Sequence, residues 1–167
     1  MSVKKNIVIS LLLAVVITGF IVNKMKKVDS LETLLKKTEL TNLSGEVLKT
    51  KDIKKKVVII SFFQTWCGDC VKEQPDLLKL KEKFGDQLEV LMISDEPSDL
   101  IQKFKEKFNS GLNFYHSSAK LKPDMGVSAY PTTYLFDKKG LEKIKKVEGI
   151  NWYTPEVIAM IEQSLAQ

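Results

Sequence analysis

Residues 57–63 read VVIISFF, and four residues beyond them comes Cys67-Gly68-Asp69-Cys70, which holds both cysteines of the chain. A run of β-branched and aromatic residues this continuous is the mark of a strand buried on both faces. A helix is expected from about Cys70 to Phe84, with Gly85 as its stop. The cysteines therefore sit where a buried strand hands over to a helix N-terminus. Free N–H groups and the helix dipole favour an anion there, so a thiolate at Cys67 is stabilised. Cys70 lies one turn further in, close enough to close a disulfide. The first sulfur can attack a substrate, and the second can resolve the mixed disulfide. Two other readings are weaker. A disulfide across two residues closes too small a loop to stabilise much. A zinc site needs two more ligands, and beyond carboxylates only His116 is on offer.

The rest of the pattern alternates strand and helix. Residues 88–93 read as a strand, and Asp95-Glu96-Pro97-Ser98 opens a helix with Leu100, Ile101, Phe104 and Phe108 on one face. Residues 112–115 form a short strand and 120–125 a helical turn. Residues 132–136 and 143–147 flank Asp137-Lys138-Lys139-Gly140, a hairpin turn. Thr154 caps a last helix that starts at Pro155, with Val157, Ile158, Ile161 and Leu165 facing inward. Upstream, residues 38–43 and 46–49 flank Ser44-Gly45 as a small hairpin, and residues 28–37 read as a stalk or first helix. Such an order argues for a three-layer α/β sheet.

Helical spacing adds Glu73 to the cysteines. Cys70, Glu73, Leu77, Leu80 and Phe84 step by three, four, three and four along one stripe, on which Glu73 is the only charge. A carboxyl group on that inward stripe should have a raised pKa and could trade a proton with the resolving thiol. The alternative is a glutamate that reaches out to water. Trp66 beside the cysteines is expected on an exposed docking surface, Asp69 in solvent, and the lysine runs 54–56 and 143–146 on solvated edges and turns.

Trp66-Cys67-Gly68-Asp69-Cys70 resembles the thioredoxin active site, and Tyr130-Pro131-Thr132 resembles its cis-proline loop. The wider strings, Phe63 through Pro75 and Tyr130 through Asp137, resemble the membrane-anchored TlpA/ResA-like thiol–disulfide oxidoreductases. The similarity runs from about residue 38 to the C-terminus. It implies a thioredoxin fold (α/β/α around a central mixed sheet) and a cis bond before Pro131. It also implies a groove in which Trp66, Tyr130 and Pro131 meet substrate. Members of that family act outside the cytoplasm and commonly reduce disulfides there, as in cytochrome c maturation. Two departures stand out. Asp69 occupies the position where the family usually has proline, and Ser61 the position of thioredoxin's buried aspartate, so a buried acid has to come from elsewhere, with Glu73 the candidate.

Residues 7–22 are sixteen uncharged residues bracketed by lysines. As a helix they span about 24 Å, short of the roughly 30 Å hydrocarbon core, and snorkelling lysines can make up the difference. A buried helix is disfavoured because the segment is apolar all round. No A-x-A-like exit favours a cleaved signal; Ile17-Thr18-Gly19 is the nearest. Residues 1–27 are therefore expected to be an uncleaved anchor or signal-anchor, with 28–37 a stalk and 38–167 the domain. The lysines on the two sides balance, and the short leading tail places the domain outside the cytoplasm.

The formal charge of +5 has the same origin. All 26 basic residues are lysines, and five of them (Lys4, Lys5, Lys24, Lys26, Lys27) lie in the first 27 positions with no acid. The other 21 lysines face 21 Asp and Glu, which leaves residues 28–167 neutral. With no arginine to make bidentate contacts, nucleic-acid binding is set aside.

The expectation is a monomeric thiol–disulfide oxidoreductase of a bacterial cytoplasmic membrane, single-pass, with its domain on the periplasmic side. Cys67 attacks, Cys70 resolves and Glu73 manages a proton. No cofactor or metal is needed beyond the cysteine pair. Protein disulfides are the substrates, and a membrane thiol-transfer partner supplies electrons. The alternatives are an oxidase or isomerase, a copper(I) chaperone using Cys67, Cys70 and His116, and a binding module with incidental cysteines.

Overall fold

The computed structural model describes residues 30–53, 55–149 and 151–167; the expected anchor lies outside them. Among the described residues, strands β1 (Leu40–Asn42), β2 (Val57–Phe62), β3 (Leu88–Ser94), β4 (Asn113–Ser117), β5 (Thr132–Phe136) and β6 (Glu142–Val147) form one mixed sheet. Its order is β1-β4-β3-β2-β5-β6, with β2, β3 and β4 mutually parallel and β1, β5 and β6 joining antiparallel. The VVIISFF run is the centre: every residue of β2 is buried, and it pairs with β3 on one side and β5 on the other.

Helices α1 (Leu31–Leu35), α2 (Thr50–Ile53), α3 (Gly68–Phe84), α4 (Ser98–Lys107) and α5 (Pro155–Leu165) cover the sheet unevenly. Leu77 and Leu80 of α3, Ile101 and Phe104 of α4, and Val157 and Ile161 of α5 share one core with Val57, Ile59, Val90 and Met92. The opposite core holds Leu31 and Leu34 of α1, Ile53, and Leu121, Met125 and Val127 from an irregular stretch, against Val58, Ile60, Leu91 and Ile93. Three layers are present, but the second outer layer is thin. Handedness explains why. The crossovers β2-α3-β3 and β3-α4-β4 step across the sheet in the same direction, and right-handed connections then place both helices on one face.

The segment read as stalk or first helix packs as a helix: α1 buries Leu31 and Leu34, and its Leu31 N–H donates to Gly140 O at 2.9 Å. Ser44-Gly45 does turn the chain, with Gly45 at φ +87°, but the return arm makes a single bridge, Thr41 to Val47. The principal partner of β1 is β4 instead. Leu100 and Phe108 are exposed, while Ile101 and Phe104 carry the apolar face of α4; Phe108 keeps a ring contact with Phe104 at 4.9 Å. In α5 Ser164 is buried where Ile158 and Leu165 were expected, and these two are only partly covered. The lysine runs are not simply solvated. Lys56 pairs with buried Glu89 at 3.1 Å, and Lys143 with buried Asp137 at 3.0 Å.

Candidate active site

Cys67 is the N-cap of α3, and its sulfur accepts the Cys70 N–H at 3.1 Å. The helix thus begins on the sulfur itself, which takes up one of the N–H groups that a first turn leaves free. Cys67 and Cys70 are joined as a disulfide with their Cα atoms 5.3 Å apart, and both are buried. Trp66 beside them is 71% exposed. Its ring meets that of Tyr130 edge-on at 5.9 Å, and the Tyr130–Pro131 peptide is cis, as the resemblance implies. The sheet register brings this about: Thr132, next after Pro131, pairs with Phe62 near the end of β2 from which the cysteine loop departs.

Of the stripe on α3, Cys70, Glu73, Leu77 and Leu80 are buried and Phe84 is partly covered. Glu73 is 3% exposed. Its Oε1 accepts from the Thr133 hydroxyl at 2.7 Å, and that hydroxyl lies 3.1 Å from the hydroxyl of Ser61. A threonine hydroxyl has one proton, so Thr133 donates either to Glu73 Oε1 or to Ser61 Oγ, and an ionised Glu73 draws it. Burial pushes the carboxyl from 4.5 up to about 7. The Thr133 and Ser61 hydroxyls and the Trp152 indole oppose that rise, and the Asp76 charge adds to it. Glu73 Oε2 and Trp152 Nε1 are buried without an aligned hydrogen bond, although the indole N–H is near enough to the carboxyl to favour its ionised form. Thr133→Val removes a group that favours the ionised form. The Glu73 titration, followed by carboxyl carbon NMR, should move above its wild-type midpoint; an unmoved midpoint would remove Thr133 from the site.

Several site residues were not anticipated. Asp95 and Glu96, read only as a helix opening, fasten the cysteine loop instead. Glu96 accepts from the Thr65 N–H at 2.6 Å, the Thr65 hydroxyl at 2.8 Å and the Ser94 hydroxyl at 3.2 Å. Asp95 accepts from the Gln64 amide at 2.6 Å and the Leu121 N–H at 3.2 Å. The acids gave one usable signal: they follow a strand directly and precede Pro97, so neither is inside a helix. Removing three acceptor contacts to a charged group, Glu96→Ala should cost about 2–3 kcal/mol, read as a lowered midpoint in denaturant. An unchanged midpoint would show that the loop holds without it.

Asp69 is exposed and pairs with Lys72 at 2.8 Å. His116 lies on β4 opposite Thr41. Among the described residues no three His, Cys, Asp or Glu side chains gather into a metal site.

The AhpC/TSA family model matches residues 32–146. The thioredoxin-like protein YneN of Bacillus subtilis is 30% identical over 106 residues, which make up 61% of this chain and 62% of YneN. The thiol-disulfide oxidoreductase ResA of Bacillus anthracis is 31% identical over 106 residues, 60% of each chain. The alignment spans about three fifths of the length of these curated relatives. The thioredoxin domain of a thiol-disulfide oxidoreductase from Bacteroides vulgatus shares the fold, with a TM-score of 0.64 at 23% identity over 77% of this chain and 91% of that one.

Proposed function

The chain belongs to the AhpC/TSA family, and from that premise we propose that it is a protein thiol–disulfide oxidoreductase working as a reductase outside the cytoplasm. One observation carries the reading: a cysteine pair at the N-terminus of α3, with Cys67 Sγ accepting a helix N–H and a buried carboxyl one turn beyond Cys70 on its stripe.

In the reduced protein the Cys67 thiolate attacks one sulfur of a substrate disulfide, and the other substrate sulfur leaves as a thiolate that takes a proton from water. Cys70 then loses its proton, for which Glu73 is the acceptor, and attacks Cys67 Sγ. The substrate departs with both sulfurs reduced, and Cys67–Cys70 is left as the disulfide. A donor dithiol returns two electrons, so no other cofactor takes part. Trp66, Tyr130 and Pro131 form the edge on which substrate docks. The reading extends to residues 1–27 as an uncleaved anchor with a monomeric domain on the outer side, a membrane thiol-transfer partner as donor, and a role of the cytochrome c maturation kind. A C-terminal reporter that works only in the cytoplasm should stay silent; an active one would overturn this placement.

The reduction potential of the Cys67–Cys70 pair separates a reductase from an oxidase. The Asp69 charge opposes a thiolate at Cys67, which disfavours the reduced state. The potential should lie near the roughly −270 mV of thioredoxin rather than the roughly −120 mV of a strong oxidant. A value at the oxidising end would make the protein a disulfide donor.

A further inference from the structure

Glu73 is enclosed by the sheet hydroxyls of Ser61 and Thr133, by Cys70 on its own helix, and by Trp152. Its opening is a cavity of about 290 Å³ lined by Asp69, Lys72, Glu73, Asp76, Gly149 and Asn151. Asp69 and Lys72 pair with each other across a turn of α3, and Lys79 pairs with Asp76 at 3.2 Å. Asp76 has a second set of contacts that ordinary helix pairing does not require. Its Oδ2 accepts the backbone N–H of Trp152 at 3.1 Å and of Tyr153 at 3.4 Å. Those bonds fix the loop that sets the fully buried Trp152 beside the carboxyl. Gly149 lets the same loop lie against the cysteine helix: a Cβ there would come within 3.3 Å of Asp69 Cβ.

We propose that Asp76 is a positioning residue for Glu73: it fastens the loop that roofs the buried carboxyl, and so leaves the cavity beside the disulfide as that carboxyl's route to water. Charged and amide side chains line the cavity, which is roomy enough for several water molecules, and Glu73 is among them, with its unpartnered Oε2 still closed off from solvent. Proton exchange would then run from Cys70 to Glu73 and out past Asp76, without opening the sheet. The inference rests on the role given to Glu73 above.

The test uses the full chain in detergent micelles in its oxidised form, where no thiol titrates and no exchange activity is needed. Glu73 is followed by carboxyl carbon NMR. In Asp76→Ala the roof loosens, more water reaches the carboxyl and the neighbouring Asp76 charge is lost, so the Glu73 midpoint should fall by about one unit. Asp76→Asn keeps an acceptor for the loop N–H groups and should show less than half of that fall. Equal falls in the two variants would reduce Asp76 to a charge effect and overturn the positioning role, as would no fall in either. Should the alanine variant not fold, amide hydrogen exchange in the wild-type chain decides. The Trp152 and Tyr153 N–H groups should be protected at neutral pH, and free exchange would contradict a fastened roof. If exchange activity proved absent while these results held, the proposed function would fail and the positioning of Glu73 would stand.

Discussion

Glu73→Gln should abolish a pH-dependent loss of stability worth about 3 kcal/mol. The folded carboxyl titrates at about 7 against 4.5 for an ordinary glutamate. Between those values the unfolded chain releases a proton that the folded chain retains. The unfolded state then binds fewer protons, so stability falls as pH rises. The stabilising contribution is complete below pH 4.5, declines through neutrality, and is gone above the folded midpoint. Urea unfolding of the oxidised protein from pH 4 to 8.5 should show that decline, and the glutamine variant should lack it. Parallel pH dependences would mean that Glu73 reaches water. In the reduced protein the same substitution removes a like charge from beside Cys70, so the thiol titration should move downward and the coupled pair should become a single group.

Cys67→Ser should lower turnover of a protein disulfide by at least about 10³-fold, because a hydroxyl without a base is no substitute for a thiolate on a helix N-terminus. Glu73→Gln should cost far less, since water can take the resolving proton more slowly. Stopped-flow exchange with a reduced chain checks both, and a Cys67→Ser variant that still turned over would move the chemistry elsewhere.

The parts of this site that obey a period were legible in the sequence. VVIISFF has the composition of a strand covered on both faces, and β2 is buried throughout. The three-four spacing placed Glu73 on the Cys70 stripe, and the carboxyl is buried there. What the sequence hid is what depends on contacts between distant segments. Ser61 and Thr133 are 72 positions apart and meet only because β2 and β5 are antiparallel in that register. Ser61 is the one hydroxyl on an otherwise apolar strand, a sign of a polar partner, whereas Thr133 stands between Thr132 and Tyr134 and gives no such sign. Asp76 and Trp152 are as far separated, and an aspartate one turn beyond Glu73 reads as an ordinary helix surface residue until its acceptor contacts are seen. The thin second layer was hidden for another reason: helix count does not state faces, and only the direction of two successive crossovers does.

The order of attack is the central claim, and it is tested most directly by trapping. Full-length Cys67→Ser and Cys70→Ser chains are expressed in cells, the thiols are blocked, and mixed disulfides are resolved without reductant. Cys70→Ser leaves the attacking sulfur in place and removes the one that releases it. It should accumulate covalent adducts with other proteins, while Cys67→Ser, whose remaining thiol is 1% exposed, should accumulate few. Equal trapping by the two variants, or more by Cys67→Ser, would contradict the assignment of Cys67 as the attacking thiolate.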